Sequence, residues 1–266
     1  MEQHFIRGGQ LRQIYVNEQK VQNIAVMRYV RSADVPRCSQ SALSNLAGFY
    51  VGSPTFPTGI PEWPSACTPI PIHTVPIDED YVLRSFSICK KYLKLGDDRQ
   101  QRREFQDFIA SKWRLLYTIN ANSGDPADYS FMAIIGMYQS LSIQKDFNLT
   151  LPDWVTDEFY SELEATALAG NDYISGAEGF GLPMDTDMVK MVAGFLFKEW
   201  MDNIDAVING TSTLKYYAYS GNDKLMNPIL FGLGVKEELI GLANSDYAST
   251  IVWELWEKEN QHFIKV

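Results

Sequence analysis

The sequence predicts an α/β fold, and three observations carry that expectation. Apolar, β-favouring runs lie towards both ends of the chain, at residues 24–30, 214–219 and 250–256. Between them, from about residue 97 to residue 209, apolar side chains recur at helical spacing. The run at 214–219 ends in a turn of small residues, Ser220-Gly-Asn-Asp223, which opens directly into an apolar helix pattern. Open α/β sheets place ligand-binding groups at such turns, because strand ends and helix N–H groups converge there.

The elements follow in order. Leu11, Ile14 and Tyr15 stand at i, i+3, i+4 spacing and predict an N-terminal helix that takes in His4. Residues 24–30, with Arg28 as their only charge, predict a strand. Asp34 is placed to cap a second helix, with Pro36 in its first turn, where a missing N–H costs little. That helix would run through Ala42, Leu43, Leu46 and Ala47 to Gly48. Residues 51–65, rich in Pro, Gly and Ser, read as a loop. Residues 69–75 look extended, with prolines placed as at a strand start. Phe105, Phe108, Ile109, Lys112, Trp113 and Leu116 predict one helix, and 131–143 and 154–168 two more. Residues 188–208 form a long amphipathic stretch closed by Gly210, where a helix C-cap wants glycine. Residues 263–266 are expected to begin a last strand. Strands at both ends with helices between them imply an α/β core of residues 1–90 and 205–266, interrupted by a mostly helical insertion at 91–204.

Composition narrows the function classes. A chain of 266 residues, 45% of them hydrophobic, can bury a sizeable core. A net charge of −10 argues against a nucleic-acid partner, since phosphate backbones need basic stripes. No apolar run approaches the roughly 18–20 residues that cross a bilayer. The first residues lack the apolar core of about 7–15 residues that marks a secretory leader. These residues alone would therefore be expected in the cytosol. Asn148-Leu-Thr and Asn209-Gly-Thr nevertheless fit the N-glycosylation acceptor pattern and point towards a secretory route. Cys38, Cys67 and Cys89 are odd in number, so at least one thiol cannot pair within the chain. No two cysteines stand at metal-ligand spacing and His4, His73 and His262 form no cluster, which argues against a zinc site; no cofactor is expected.

The segment Tyr-Val-Arg31-Ser-Ala-Asp-Val-Pro-Arg37, the stretch through Asn45-Leu-Ala-Gly48, Pro-Ile-Pro-Ile-His73-Thr-Val-Pro, the turn Gly-Asn222-Asp223 and Tyr247-Ala-Ser-Thr-Ile-Val-Trp-Glu254-Leu together resemble the histidine acid phosphatases of the prostatic and lysosomal type. The likeness covers nearly the whole chain. It implies a phosphoglycerate mutase-like core, a mixed sheet flanked by helices, with a helical cap inserted in it. It also implies hydrolysis of phosphate monoesters at acid pH, a phosphate monoester or phosphate ion as ligand, a secreted or lysosomal location, and a homodimer as one expected state. Arg31 matches a phosphate-clamping arginine and Asp223 the proton donor, while Asn222 stands where the family carries a phosphate-binding histidine.

Two departures bear on activity. The family's nucleophile lies in an Arg-His-Gly motif at the end of a first strand, and no Arg-His-Gly occurs in these 266 residues. The opening residues match the helix that follows that strand. Removing a nucleophile costs on the order of a million-fold in kcat in a serine protease, so these residues alone are expected to be inactive. The alternative is a non-catalytic pseudophosphatase that binds phosphorylated ligands or a protein partner. Pro228 falls inside the helix after Asp223, where it removes a backbone hydrogen bond. By resemblance Cys89 lacks the partner of its distal disulfide. On residue type alone, Arg31 is a strand-end arginine, Asp223 a helix N-cap and Asn222 a turn residue tolerating positive φ. His73 is a strand histidine, Tyr216, Tyr217 and Tyr219 are sheet-face residues, and Arg102-Arg103 is a solvated helix face.

Overall fold

The computed structural model describes residues 1–21, 24, 28–52, 59–64, 67–124 and 129–266. Parts of the expected strand at 24–30 and of the expected loop at 51–65 lie outside the described residues. In chain order the elements are α1 (Glu2–Arg12), β1 (Arg28–Ser32), α2 (Pro36–Phe49), α3 (Ser85–Ile88), α4 (Lys90–Gln100), α5 (Arg103–Ser111), α6 (Trp113–Ser123), α7 (Phe131–Asp146) and α8 (Asp157–Ile174). Then come α9 (Thr186–Ile208), β2 (Tyr216–Ser220), α10 (Asp223–Leu233), α11 (Lys236–Ile240), β3 (Glu254–Lys258) and β4 (Gln261–Lys265). The chain adopts the α/β class expected from its sequence, with small sheets. It forms two compact units: Met1–Ile88 with Val192–Met226 and Ser245–Val266, and Cys89–Met191 with Asn227–Asn244.

The first unit is built on two parallel strands. Arg28 pairs with Tyr216, Arg31 with Tyr219 and Ser32 with Ser220, so β1 and β2 end at the same level. On the other side of β1, the Ser32 N–H donates to His73 O at 2.9 Å and the His73 N–H to Val30 O at 2.8 Å. The extended segment around His73 therefore flanks β1 through one bridge at Arg31, short of a full strand. Prolines on both sides of Ile70 and at Pro76 withhold the donors that a longer ladder needs. Val30, Leu46, Phe49, Tyr50, Leu11 and Ile70 are buried together beneath these strands. Tyr216 stacks on Phe49 at 5.4 Å.

Helices α1 and α2 cross closely through glycine. A Cβ on Gly8 would sit 1.9 Å from Asn45 O, and one on Gly48 1.9 Å from Phe5 O. After α1 the chain runs straight into a π-helical segment, Gln13–Glu18. Helix α2 begins where expected but is not capped by Asp34. Val35 is the cap residue, extended at φ −135° and ψ 128°, with no side-chain cap bond. Pro36 forces the residue before it out of the helical region, so the proline sets the boundary and leaves Asp34 one residue too early.

The C-terminal strand expected at 250–256 begins only at Glu254, and its partner begins at Gln261 rather than 263. They form an antiparallel hairpin turned by Glu259 and Asn260, both at positive φ (54° and 61°), as a two-residue hairpin loop requires. Tyr15 Oη donates to Glu254 at 2.5 Å, and Trp256 Nε1 and Lys265 Nζ donate to the same carboxylate.

The second unit is helical. Phe105, Ile109, Leu116, Phe131, Leu163 and Tyr173 lie at the centre of its core. The single helix expected over 105–116 is two, because Lys112 takes φ −91° and ψ 23° between α5 and α6. Helix α8 starts three residues later than the apolar pattern suggests. Thr156 caps it, its hydroxyl accepting the Phe159 N–H at 3.1 Å. Two buried cations tie this unit together. Lys236 Nζ donates to Asp172 at 2.7 Å and to Gly241 O at 2.8 Å. Arg99 donates to Ala177 O and lies over the Tyr173 ring, whose hydroxyl donates back to Arg99 O. Helix α9, whose residues belong to both units, ends as expected at Gly210, with φ +69° and Thr211 N–H bonded to Ala206 O.

Candidate functional site

The carboxyl ends of β1 and β2 carry the residues singled out in the sequence. Arg31 is the penultimate residue of β1, and Asn222 and Asp223 follow β2 after Gly221. The Ala33 N–H donates to Ser220 O at 3.0 Å, which joins the two strand exits. Ser220 Oγ donates to Cys38 O at 2.9 Å, and the Cys38 thiol reaches Gly221 O at 3.4 Å. The first turn of α2 is thus clipped to the turn that opens α10. Burial pushes the Cys38 thiol up, Arg37 and Arg84 pull it down, and Asp223 adds to the rise. Those three charges therefore lie within electrostatic reach of one buried sulfur.

Asp223 does not cap α10; Asn222 does. The Asn222 carbonyl accepts the Leu225 and Met226 N–H groups, each at 3.1 Å, and Asp223 is the first helical residue, exposed to solvent. There its carboxylate complements the positive end of the helix dipole. Asn222 Oδ1 is buried without a hydrogen-bond partner. Pro228 lies inside α10 and lacks the N–H that helical geometry would direct at Lys224 O.

Arg31 is 7% exposed and its two terminal nitrogens are both committed. Nη2 donates to Asp80 Oδ1 at 2.6 Å and Nη1 to Glu199 Oε2 at 2.9 Å. Asp80 is 0% exposed, and its Oδ1 also accepts the Val82 and Leu83 N–H groups. Its Oδ2 and Arg31 Nε are buried without partners. Asn203 Nδ2, on α9, donates to Tyr219 Oη of β2 at 2.9 Å. Burial, then the nearby Glu199 carboxylate, hold the Tyr219 phenol well above its ordinary range. Tyr29 is raised too, by burial and by Glu199 and Asp80 against the lowering effect of Arg31. His73 is exposed and its ring stacks on Tyr29 at 4.8 Å.

The strand ends thus hold Arg31, Asn222 and Asp223 at one edge, while Arg31 turns its terminal nitrogens to Asp80 and Glu199. The sequence did not single out Asp80 or Glu199, and it read Tyr219 only as a sheet-face residue. The one available signal was indirect: an arginine closing a buried strand requires a counter-charge somewhere in the chain. Asn148 and Asn209 lie apart, in exposed turns after α7 and α9. Cys38, Cys67 and Cys89 are all free. Among the described residues no cluster of three His, Cys, Asp or Glu could hold a metal, and no helix is long and apolar enough to cross a membrane.

Comparison with known proteins shows what the chain is similar to. A lysosomal acid phosphatase of Xenopus laevis is 29% identical over 270 residues, which cover 99% of this chain and 58% of that protein. Prostatic acid phosphatases of Homo sapiens and Rattus norvegicus are each 26% identical over 273 residues, covering 100% of this chain and 66% and 67% of theirs. The chain thus spans about three fifths to two thirds of the length of these relatives. The family model described as the histidine phosphatase superfamily (branch 2) matches residues 1–266, from one end of the chain to the other. By that match over its whole length, the chain belongs to the histidine phosphatase superfamily, in its second branch.

Proposed function

We propose that the carboxyl ends of β1 and β2 form a phosphate-monoester site of the acid-phosphatase type that, in these 266 residues by themselves, binds its ligand without turnover. Arg31 is the anion contact, and Asp223 stands where a leaving oxygen would take its proton. The observation that carries the reading is Asn222. It occupies the cap of α10, its carbonyl accepting the Leu225 and Met226 N–H groups, next to the first-turn carboxylate of Asp223. By resemblance that spot takes a histidine. An amide keeps a donor there but supplies no positive charge, losing a charge-assisted hydrogen bond of roughly 1.5–3 kcal/mol. A nucleophile of the family's kind would also have to come from outside these residues, since no Arg-His-Gly occurs among them.

Hydrolysis of p-nitrophenyl phosphate at acid pH tests the reading. No release above the blank is expected from this chain. Release that disappears in Asp223→Asn would show that the site works as it stands. A binding module for phosphorylated ligands is the companion reading.

The names of the relatives support a secreted or lysosomal location, with Asn148 and Asn209 as glycan acceptors, and the exposure of both asparagines is consistent with that. A mobility shift on deglycosylation of protein from secreting cells, lost in the paired Asn148→Gln and Asn209→Gln variant, checks it.

A further inference from the structure

The charges around Arg31 are unbalanced, and the imbalance is asymmetric in its freedom to move. One guanidinium faces two carboxylates. Asp80 is immobile: its side chain is 0% exposed, and two backbone N–H groups hold the same oxygen that meets Arg31. Glu199 is the partner that solvent reaches, with its side chain 26% exposed on a three-torsion stem from α9. The groups facing it are Arg31 and Tyr29 of β1, Asp80 from the turn before α3, and Tyr219 of β2. On α9 itself, Asn203 holds Tyr219, while Lys198 pairs with Asp202 on the exposed side. Among the described residues Arg31 is thus the one cation bonded to Glu199.

We propose that Glu199 is an internal competitor for the anion at Arg31, occupying Nη1 until a ligand's oxyanion displaces it. The inference rests on reading Arg31 as an anion contact and names what controls that contact. An anion that reaches Nη1 while Glu199 stays charged and in place meets a like charge on the same guanidinium, which opposes binding. Glu199, with its side chain 26% exposed, can pass to water on release, which the buried Asp80 cannot. Asp80 keeps the guanidinium oriented throughout.

The test is a calorimetric titration of the full chain with sulfate, whose own charge is constant between neutral and mildly acid pH. Glu199→Gln keeps an oxygen that accepts from Nη1 but removes the charge. It should bind sulfate about tenfold more tightly at neutral pH. Weaker binding by Glu199→Gln would make Glu199 a positioning partner of Arg31 and overturn competition. Unchanged affinity would overturn it as well, leaving the anion reading intact. No sulfate binding by either form at any pH would overturn the anion reading itself, and the competition with it. Should Glu199→Gln fail to fold, Glu199→Asp, whose shorter stem draws the carboxylate back from Nη1, is titrated in its place, and sulfate binding no tighter than in the unsubstituted chain counts against the proposal.

Discussion

Arg31 and Asp80 bind each other so deeply that neither can be removed cleanly. Arg31→Ala would strand the fully buried Asp80 carboxylate, and breaking such a pair from one side costs about 3–5 kcal/mol. Chemical denaturation should show that loss, so a drop in ligand binding by Arg31→Ala alone would report unfolding as much as function. The paired Arg31→Met and Asp80→Leu variant should recover most of the stability while abolishing the cation. At the turn, Asn222→His should raise orthophosphate affinity by about tenfold at acid pH, where the imidazole is charged, the equivalent of about 1.4 kcal/mol. Titration calorimetry measures it, and an unchanged affinity would remove Asn222 from the proposed site. The identities of Arg31, Asn222 and Asp223 were legible from residue pattern because the chemistry is local to short segments. The partners of Arg31 were not, since Glu199 lies 168 positions away and only tertiary packing brings it near.

Local chemistry also decides how well the elements can be read. Pro36 and Gly210 mark ends of α2 and α9 where the sequence places them, because each acts through its own backbone. Caps were read less well: Thr156 and Asn222 take roles that apolar spacing or a neighbouring aspartate obscured. The close crossing of α1 and α2 gives a sharp prediction. Gly8→Ala would drive a methyl into the Asn45 carbonyl, backbone that cannot rotate away, and should cost about 1–3 kcal/mol or more in a denaturant melt. The hairpin gives a second one. The Tyr15 hydrogen bond, with those of Trp256 and Lys265, holds the Glu254 carboxyl below its usual range against the opposing effect of burial. A depressed carboxyl stabilises the fold above its unfolded value and loses that contribution as pH falls through the folded one. Tyr15→Phe should therefore cost about 1.5–3 kcal/mol at neutral pH. Its deficit against the parent should narrow as acid protonates Glu254, which melting curves across pH would show.

For the molecule as a whole, the sequence carried the class because strands at both ends and helices between them are statements about order, which composition and period reveal. Strand length was harder. The segment at 69–75 has β character, yet its prolines limit it to a single bridge beside β1. The central claim is that this frame holds an anion at the ends of β1 and β2. It is tested most directly by titrating orthophosphate into the chain at acid pH, beside the paired Arg31→Met and Asp80→Leu variant. One saturable site in the chain and none in the variant is the result expected. Equal binding by both, or none by either, would contradict it.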